Sequence, residues 1–113
     1  MWGKIENLGI PGNGTSIGNA LLSFDSTIAV ALPGIPLNAK SALITVEAHI
    51  NTVDAEKVAR FLEYTELNNP TSLIGVPLAN GSTYEIIGYT NLLGFKIIGI
   101  EELEHKLQVQ YFS

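Results

Sequence analysis

The chain has two histidines, and one of them lies among glutamates that could help it bind a cation. His105 follows Glu101, Glu102 and Glu104, whereas His49 stands apart. A zinc site needs three or four nitrogen, sulfur or oxygen ligands in a fixed geometry, and the chain has no cysteine. We therefore expect His105 to belong to a solvated acidic hairpin tip and His49 to be a surface or subunit-contact residue. No metal or cofactor is predicted.

Paired carboxylates are the second kind of candidate chemistry. Glycoside hydrolysis uses two of them, and the candidates are Glu47, Glu63, Glu66 and Glu85. Glu47 and Glu85 fall on polar positions of alternating segments, where solvated carboxylates are expected. The segment Gly14–Gly18 (GTSIG) has the spacing of the Gly-x-Ser-x-Gly nucleophile motif, but no strand is predicted before it, as a nucleophile elbow requires. The glycine-rich stretch 9–14 lacks the Lys-Ser/Thr ending of a phosphate-binding loop. We predict that the protein is not an enzyme; a small cupin- or glycosidase-type enzyme is the catalytic alternative.

The segments that would position these residues alternate between apolar and polar side chains. In Lys106–Phe112, the residues Leu107, Val109 and Tyr111 share one face, which is the period of a half-buried strand. The same pattern predicts strands at Thr27–Leu32, Ala42–Ile50, Val58–Tyr64, Thr83–Ile87, Phe95–Ile100 and Lys106–Phe112. We expect the last two strands to form a hairpin. A helix over residues 54–62 is the alternative to the strand there.

Short strands separated by turn residues predict an all-β fold. We expect an antiparallel β-sandwich of the jelly-roll type, and 113 residues suffice for one compact domain. The predicted core consists of the inward-facing apolar residues of the strands: Ile44, Val46, Phe61, Ile86, Ile97, Leu107, Val109 and Tyr111.

The first 26 residues differ from the rest because they are rich in glycine and poor in charge. Their large apolar residues include Trp2, Ile5, Leu8 and Ile10. A free tail would not normally carry such residues, so we predict an extended N-terminal arm over residues 1–26 that packs on its own domain or on a neighbour. The β-sandwich domain then spans residues 27–113. A short helical turn at Ser16–Leu22 is the alternative to extended chain in that part.

The composition favours a protein that assembles with other subunits. Only 15% of the residues are charged, against about 25% in typical globular domains, and a surface poor in charge is easier to desolvate. A monomer with a neutral, Asn-, Thr- and Ser-rich surface is the alternative. The net charge of −5 argues against a nucleic-acid partner. No apolar run approaches the ~18 residues of a membrane span, so no membrane partner is predicted.

Residues outside the arm complete the predicted subunit contacts, which are Trp2, Ile5, Leu8, Ile10, Arg60, Tyr64 and Phe112. Arg60 is the only arginine. Its guanidinium could form a bidentate pair with Glu63, with Glu85 or with a carboxylate of a neighbouring subunit.

An ordered series of short motifs resembles a known family. The motifs are Ala39–Ala48 (AKSALITVEA), Ala59–Phe61 (ARF), Asn69–Thr71 (NPT), Gly75–Leu78 (GVPL), Gly81, Tyr84–Ile86 (YEI), Phe95–Ile97 (FKI) and Leu107–Phe112 (LQVQYF). In this order they resemble the small β-sandwich structural proteins of tailed bacteriophage particles. Such proteins often have an Asp-Gly turn after the arginine-aromatic strand, where this chain has the segment 63–69.

The resemblance implies a virion component, such as a head-decoration, head-fibre or other capsid-associated protein, without catalytic residues. Its partners would be further copies of the chain, with a trimer as the expected closed ring, and other virion proteins. The alternative function is a carbohydrate-binding module for adhesion to host surface glycans. That function needs exposed aromatic side chains, and the expected ones are Tyr64, Tyr89 and Phe112.

Overall fold

A computed structural model describes residues 14–113 and shows an all-β sandwich. The described elements are, in chain order, β1 (Ser16–Phe24), β2 (Val30–Ala31), β3 (Ser41–Glu47), β4 (Ala59–Leu62), β5 (Val76–Leu78), β6 (Thr83–Ile87), α1 (Tyr89–Gly94), β7 (Lys96–Gly99) and β8 (His105–Phe112). One sheet has the strand order β1-β8-β3-β6, and the other has the order β2-β7-β4-β5.

The strand pairs are nested along the chain. β1 pairs with β8, β2 with β7, β3 with β6, and β4 with β5, all antiparallel. The pairs β3·β8 and β4·β7, also antiparallel, join them into two four-stranded sheets. A ribbon of antiparallel pairs folded over itself in this way is a jelly roll. The predicted fold class is therefore confirmed for residues 14–113.

The core lies between the inner faces of the two sheets and follows the period of two. All eight residues that the sequence placed in the core are buried, with Ile44, Ile86 and Ile97 fully inaccessible. Phe61 anchors the centre, since its ring lies 4.6 Å from the ring of Tyr84 and 5.3 Å from that of Phe95. Offset and tilted aromatic pairs at such distances add stability beyond the area they bury.

The predicted hairpin between the last two strands is wrong, because β7 and β8 belong to different sheets. The eight-residue strand β8 pairs with β1 on one edge and with β3 on the other. The four-residue strand β7 lies between β2 and β4 in the second sheet. The connection at 100–104 therefore crosses from one sheet to the other. The helix considered for residues 54–62 is also not formed, since β4 begins at Ala59.

Part of the predicted arm belongs to the sandwich. Ser16–Phe24 is the nine-residue strand β1, which pairs with β8 along its length, so the helical turn considered there is wrong. A β-bulge between Ser16 and Gly18 shifts the register, and Leu21 is an exposed apolar residue among the polar positions of β1. Both features obscure the alternation in the sequence. The arm residues Trp2, Ile5, Leu8 and Ile10 lie outside the described residues.

The connections gather at the two opposite ends of the sandwich. At one end lie the connections 25–29, 48–58, 79–82 and 100–104, together with Asp25, Asp54, Glu56, Glu101, Glu102 and Glu104. We call it the acidic end. At the other lie the connections 32–40, 63–75 and 88–95, the start of β1 and the end of β8. We call it the apolar end, because it carries a set of exposed large apolar residues: Leu37, Tyr64, Leu67, Leu73, Ile74 and Leu93.

Candidate functional site

His105, which the sequence placed in a solvated tip, is buried as the first residue of β8. Its ring lies 5.5 Å from the ring of Phe24, and its Nδ1 accepts a hydrogen bond of 3.0 Å from the backbone N–H of His49. An Nδ1 that accepts leaves the proton of the neutral ring on Nε2, and no residue of 14–113 accepts from Nε2. Burial lowers the pKa of His105, the nearby His49 lowers it further, and Glu101 and Asp25 oppose the shift.

Glu101 closes a loop of the acidic end. Its carboxylate accepts hydrogen bonds from the backbone N–H of Asp54 at 2.9 Å and of Val53 at 3.2 Å. These backbone donors stabilise the charged form, and so they lower the pKa of Glu101. Within the described part of the chain, no three or more His, Cys, Asp or Glu side chains are placed to hold a metal ion.

Asn80 is a second residue of the acidic end whose side chain binds the backbone. Asn80 Oδ1 accepts a hydrogen bond of 2.9 Å from the N–H of Ala48. This contact ties the turn between β5 and β6 to the end of β3. The polar side chains of Glu101, Asn80 and His105 therefore satisfy backbone donors of the connection 48–58, and they hold this end closed.

The structure does not bring the candidate carboxylates together as a pair. Glu85 lies opposite Leu43 of β3, and Glu47 is four residues further along β3, about 13 Å away at the rise of a strand. Glu63 instead accepts a hydrogen bond from the hydroxyl of Tyr84. That bond, with burial and the charge of Glu63, raises the pKa of Tyr84 to about 12. Glu66 is exposed in the connection 63–75.

Arg60 fastens the longest connection of the apolar end. Its Nε donates to the carbonyl oxygen of Ser72 at 3.1 Å, and its Nη1 donates to that of Gly75 at 2.8 Å. The salt bridge predicted with Glu63 or Glu85 is therefore wrong for the described chain. The reason is geometric, because the carbonyls of the connection 63–75 lie beside the guanidinium and take its donors. A pair with a neighbour's carboxylate stays a prediction.

The helix α1 packs closely on the same connection. Thr65 Oγ1 donates to the carbonyl oxygen of Gly94 at 2.7 Å. A Cβ atom at Gly94 would overlap the carbonyl oxygen of Glu63, so only glycine permits this approach. Tyr64 and Leu93 line one surface depression between the two elements. The connection and the helix therefore form one fixed unit.

This unit presents apolar side chains to solvent. Its exposed large apolar residues, which we call the apolar-end residues, are Tyr64, Leu67, Leu73, Ile74 and Leu93. Leu73 is 84% exposed, so it contributes almost nothing to the core of its own chain. Of these residues, only Tyr64 was predicted from the sequence to be exposed. Leu67, Leu73 and Ile74 flank the turn segment 68–72, where no core position is expected, whereas Leu93 carries no such signal.

The remaining predicted contact and aromatic residues differ in exposure. Tyr64 is exposed as predicted, whereas Tyr89 is half-buried and Phe112 is buried. The expectation that Phe112 is exposed is wrong, because the ring packs where the chain enters the sandwich: a Cβ atom at Gly14 would lie 3.0 Å from that of Phe112. Tyr64 is thus the one exposed aromatic residue of the described range.

Comparison of the chain with protein-family models, with curated proteins and with solved structures returned no match. Among the helices of residues 14–113, none has the length and apolar character needed to cross a membrane.

Proposed function

We propose that the chain is a non-enzymatic structural protein of a phage virion, such as a capsid-decoration or head-fibre protein. It acts by assembling with further copies of itself and by docking through its N-terminal arm. The observation that carries this proposal is the set of exposed apolar-end residues on one fixed unit. The jelly roll, which is common in viral capsid proteins, and the motif series in the sequence support it further.

The apolar-end residues are suited to a protein interface. Burial of apolar surface contributes about 25 cal/mol per Å², and exposed groups of large apolar residues mark interaction sites. The contacts of Arg60, Thr65 and Gly94 already hold the connection 63–75 and α1 in place. Little conformational entropy is therefore lost when a partner binds, which favours affinity.

The arm enters the sandwich at the same end. Ser113 N–H donates to the carbonyl oxygen of Thr15, and Lys40 N–H donates to that of Phe112, which places the start of β1 among the loops of the apolar end. Thirteen residues precede Gly14, and fully extended they span at most about 43–47 Å. The longest dimension of the sandwich is 37 Å. The arm of one copy can thus reach the apolar end of a neighbour and lay its backbone along it.

Truncation of the arm tests this proposal. The deletion must stop at residue 13, because a longer one, such as residues 1–22, would remove most of β1. The shortened chain should keep the far-ultraviolet circular dichroism of a folded β-sandwich and should be lost from purified particles, measured by mass spectrometry of the particles. A full-length chain that is absent from particles, or a shortened chain that is incorporated normally, would overturn the proposal.

The carbohydrate-binding alternative makes a different prediction. It expects glycan-array binding that depends on Tyr64, the exposed aromatic residue of residues 14–113. Binding that is lost in the variant Tyr64→Ala would favour the alternative.

The trimer expected from the sequence stays a prediction, and light scattering of the purified chain tests it.

A further inference from the structure

The four edge strands of the two sheets differ in how they are protected against pairing with another strand. β2 has two residues and is closely followed by Pro33, and β5 has three residues and contains Pro77. β6 carries Glu85 and continues into α1. Short length, proline and charge are the usual protections of an edge. β1 has none of them, since its nine residues include no proline and no charged residue.

The regular part of β1 is symmetric about one residue. Past the bulge, Gly18–Phe24 pairs with β8 in continuous register, Gly18 opposite Tyr111 and Phe24 opposite His105. Leu21 is the central residue of these seven. Its side chain is 56% exposed on the outer face of the sheet, where Asn19 and Ser23 flank it. The other edge of β1 has no partner strand among residues 14–113.

We propose that this edge pairs antiparallel with the same edge of a second copy of the chain, about a two-fold axis at Leu21. The pairing places Leu21 opposite Leu21 of the second copy, Asn19 opposite Ser23, and Ala20 opposite Leu22. The two four-stranded sheets then form one continuous eight-stranded sheet. This inference deepens the proposed assembly function and rests on it.

Composition favours a second copy as the occupant of this edge. A two-fold axis brings the residues that lie on it next to their own symmetry mates, so a charge near the axis meets a like charge, which is destabilising. The outer-face row through the axis is uncharged: Thr83, Thr45, Gln108 and Leu21 lie side by side across the sheet. Residues 1–13 fit the edge less well, because their apolar residues lack a period of two and Pro11 interrupts them.

Light scattering of the full chain over a range of concentrations tests the pairing. The expected species is a dimer of about twice the 12.1 kDa chain mass. Leu21→Lys should raise the dissociation constant about tenfold or more, because two like charges then face each other. Ile87→Lys is the matched control, since Ile87 is exposed to a similar degree, 64%, on the edge strand β6 of the same sheet; it should dissociate like the unaltered chain.

A charge-complementation experiment makes the test specific to an axis at Leu21. Leu21→Lys and Leu21→Glu should each be mainly monomeric, and their equimolar mixture should recover the dimer. Circular dichroism should show that both variants are folded. No recovery in the mixture, or equal weakening by Leu21→Lys and Ile87→Lys, would overturn the proposed axis.

The outcomes separate this inference from the proposed function. A chain that is a monomer at all concentrations, or a trimer, would overturn the two-fold pairing. If that chain is still found in purified particles, the assembly function stands. A dimer that shows the complementation but is absent from particles would support the pairing and overturn the virion function.

Discussion

The two ends of the sandwich use their side chains in opposite ways. At the acidic end, the side chains of Glu101, Asn80 and His105 accept hydrogen bonds from backbone N–H groups of the connection 48–58. At the apolar end, the backbone is held by Arg60 and Thr65, and the apolar-end residues point to solvent. Glu101 and Arg60 therefore each hold a connection of their own chain, whereas the apolar-end residues are left exposed.

The largest expected effect is on stability. It compares a glycine at a close contact of the apolar end, Gly94, with a glycine in a turn of the acidic end, Gly81. Gly94→Ala should lower the free energy of unfolding by about 3 kcal/mol, because the new methyl group would overlap the carbonyl oxygen of Glu63. Gly81→Ala at the acidic end is the matched control. Its φ of +79° is unfavourable for alanine but nothing lies near the new atom, so about 1 kcal/mol is expected. Urea denaturation measures both, and equal losses would contradict this account of α1.

The next largest effect on stability compares the side-chain hydrogen bonds that hold the connections at the two ends. Arg60→Met removes two hydrogen bonds from a charged donor and should cost about 2 kcal/mol. Asn80→Ala removes one neutral acceptor and should cost about 1 kcal/mol. Hydrogen exchange should rise near residues 72–75 in the first variant and near Ala48 in the second. Faster exchange at both ends in either variant would show that the ends are not independent.

Acid should weaken the acidic end first. Burial lowers the pKa of folded His105, so below the unfolded value of about 6.5 the unfolded chain binds more protons. Stability is then complete above that pH and falls as the pH drops toward the folded pKa. The variant His105→Asn offers a non-titrating acceptor to the His49 N–H and should flatten this loss between pH 7 and 5. If the free energy of unfolding of this variant still fell equally steeply between pH 7 and 5, groups other than His105 would cause the loss.

A second loss should follow at lower pH. The pKa of Glu101 is lowered by backbone donors, so its contribution is present above the ordinary value of about 4.3 and is lost as the pH falls through the folded pKa.

The smallest expected effect on stability is also the most informative about partners. Leu73→Lys should change the free energy of unfolding by less than about 0.5 kcal/mol, as is usual for exposed sites, but should reduce incorporation into particles. Ile50→Lys at the acidic end is the control, because Ile50 is 93% exposed; it should incorporate normally. Equal incorporation of both variants would remove the distinction between the ends.

The fold could be predicted wherever a period of two was visible. The sequences of β3, β6 and β8 alternate clearly, and this alternation correctly predicted that Ile44, Ile86 and Val109 are buried. β1 was missed because of its bulge and its exposed Leu21, and β5 because three residues with a proline show no period. The wrong hairpin prediction had another cause. β7 and β8 follow each other in sequence, but β8 pairs with β1 and β3 on its two edges, so β7 belongs to the other sheet.

The candidate site could be predicted only in part. Tyr64 was recognised as an exposed aromatic residue, but Leu73 and Leu93 were not, because sequence does not show which apolar residue lacks a place in the core. Arg60 was selected as a special residue, but its partners are the carbonyl groups of Ser72 and Gly75. Carbonyl partners depend on the path of a loop, and side-chain chemistry alone favoured a carboxylate.

Hydrogen–deuterium exchange of the chain in purified particles, compared with the free chain, tests the central claim most directly. The claim is that the apolar end meets the partners and that the acidic end is closed by its own contacts. The predicted result is slower exchange in residues 63–76 and 88–94 of the particle-bound chain, with no change in residues 48–58. Slower exchange at 48–58 and 100–104, with the apolar end unchanged, would contradict the account.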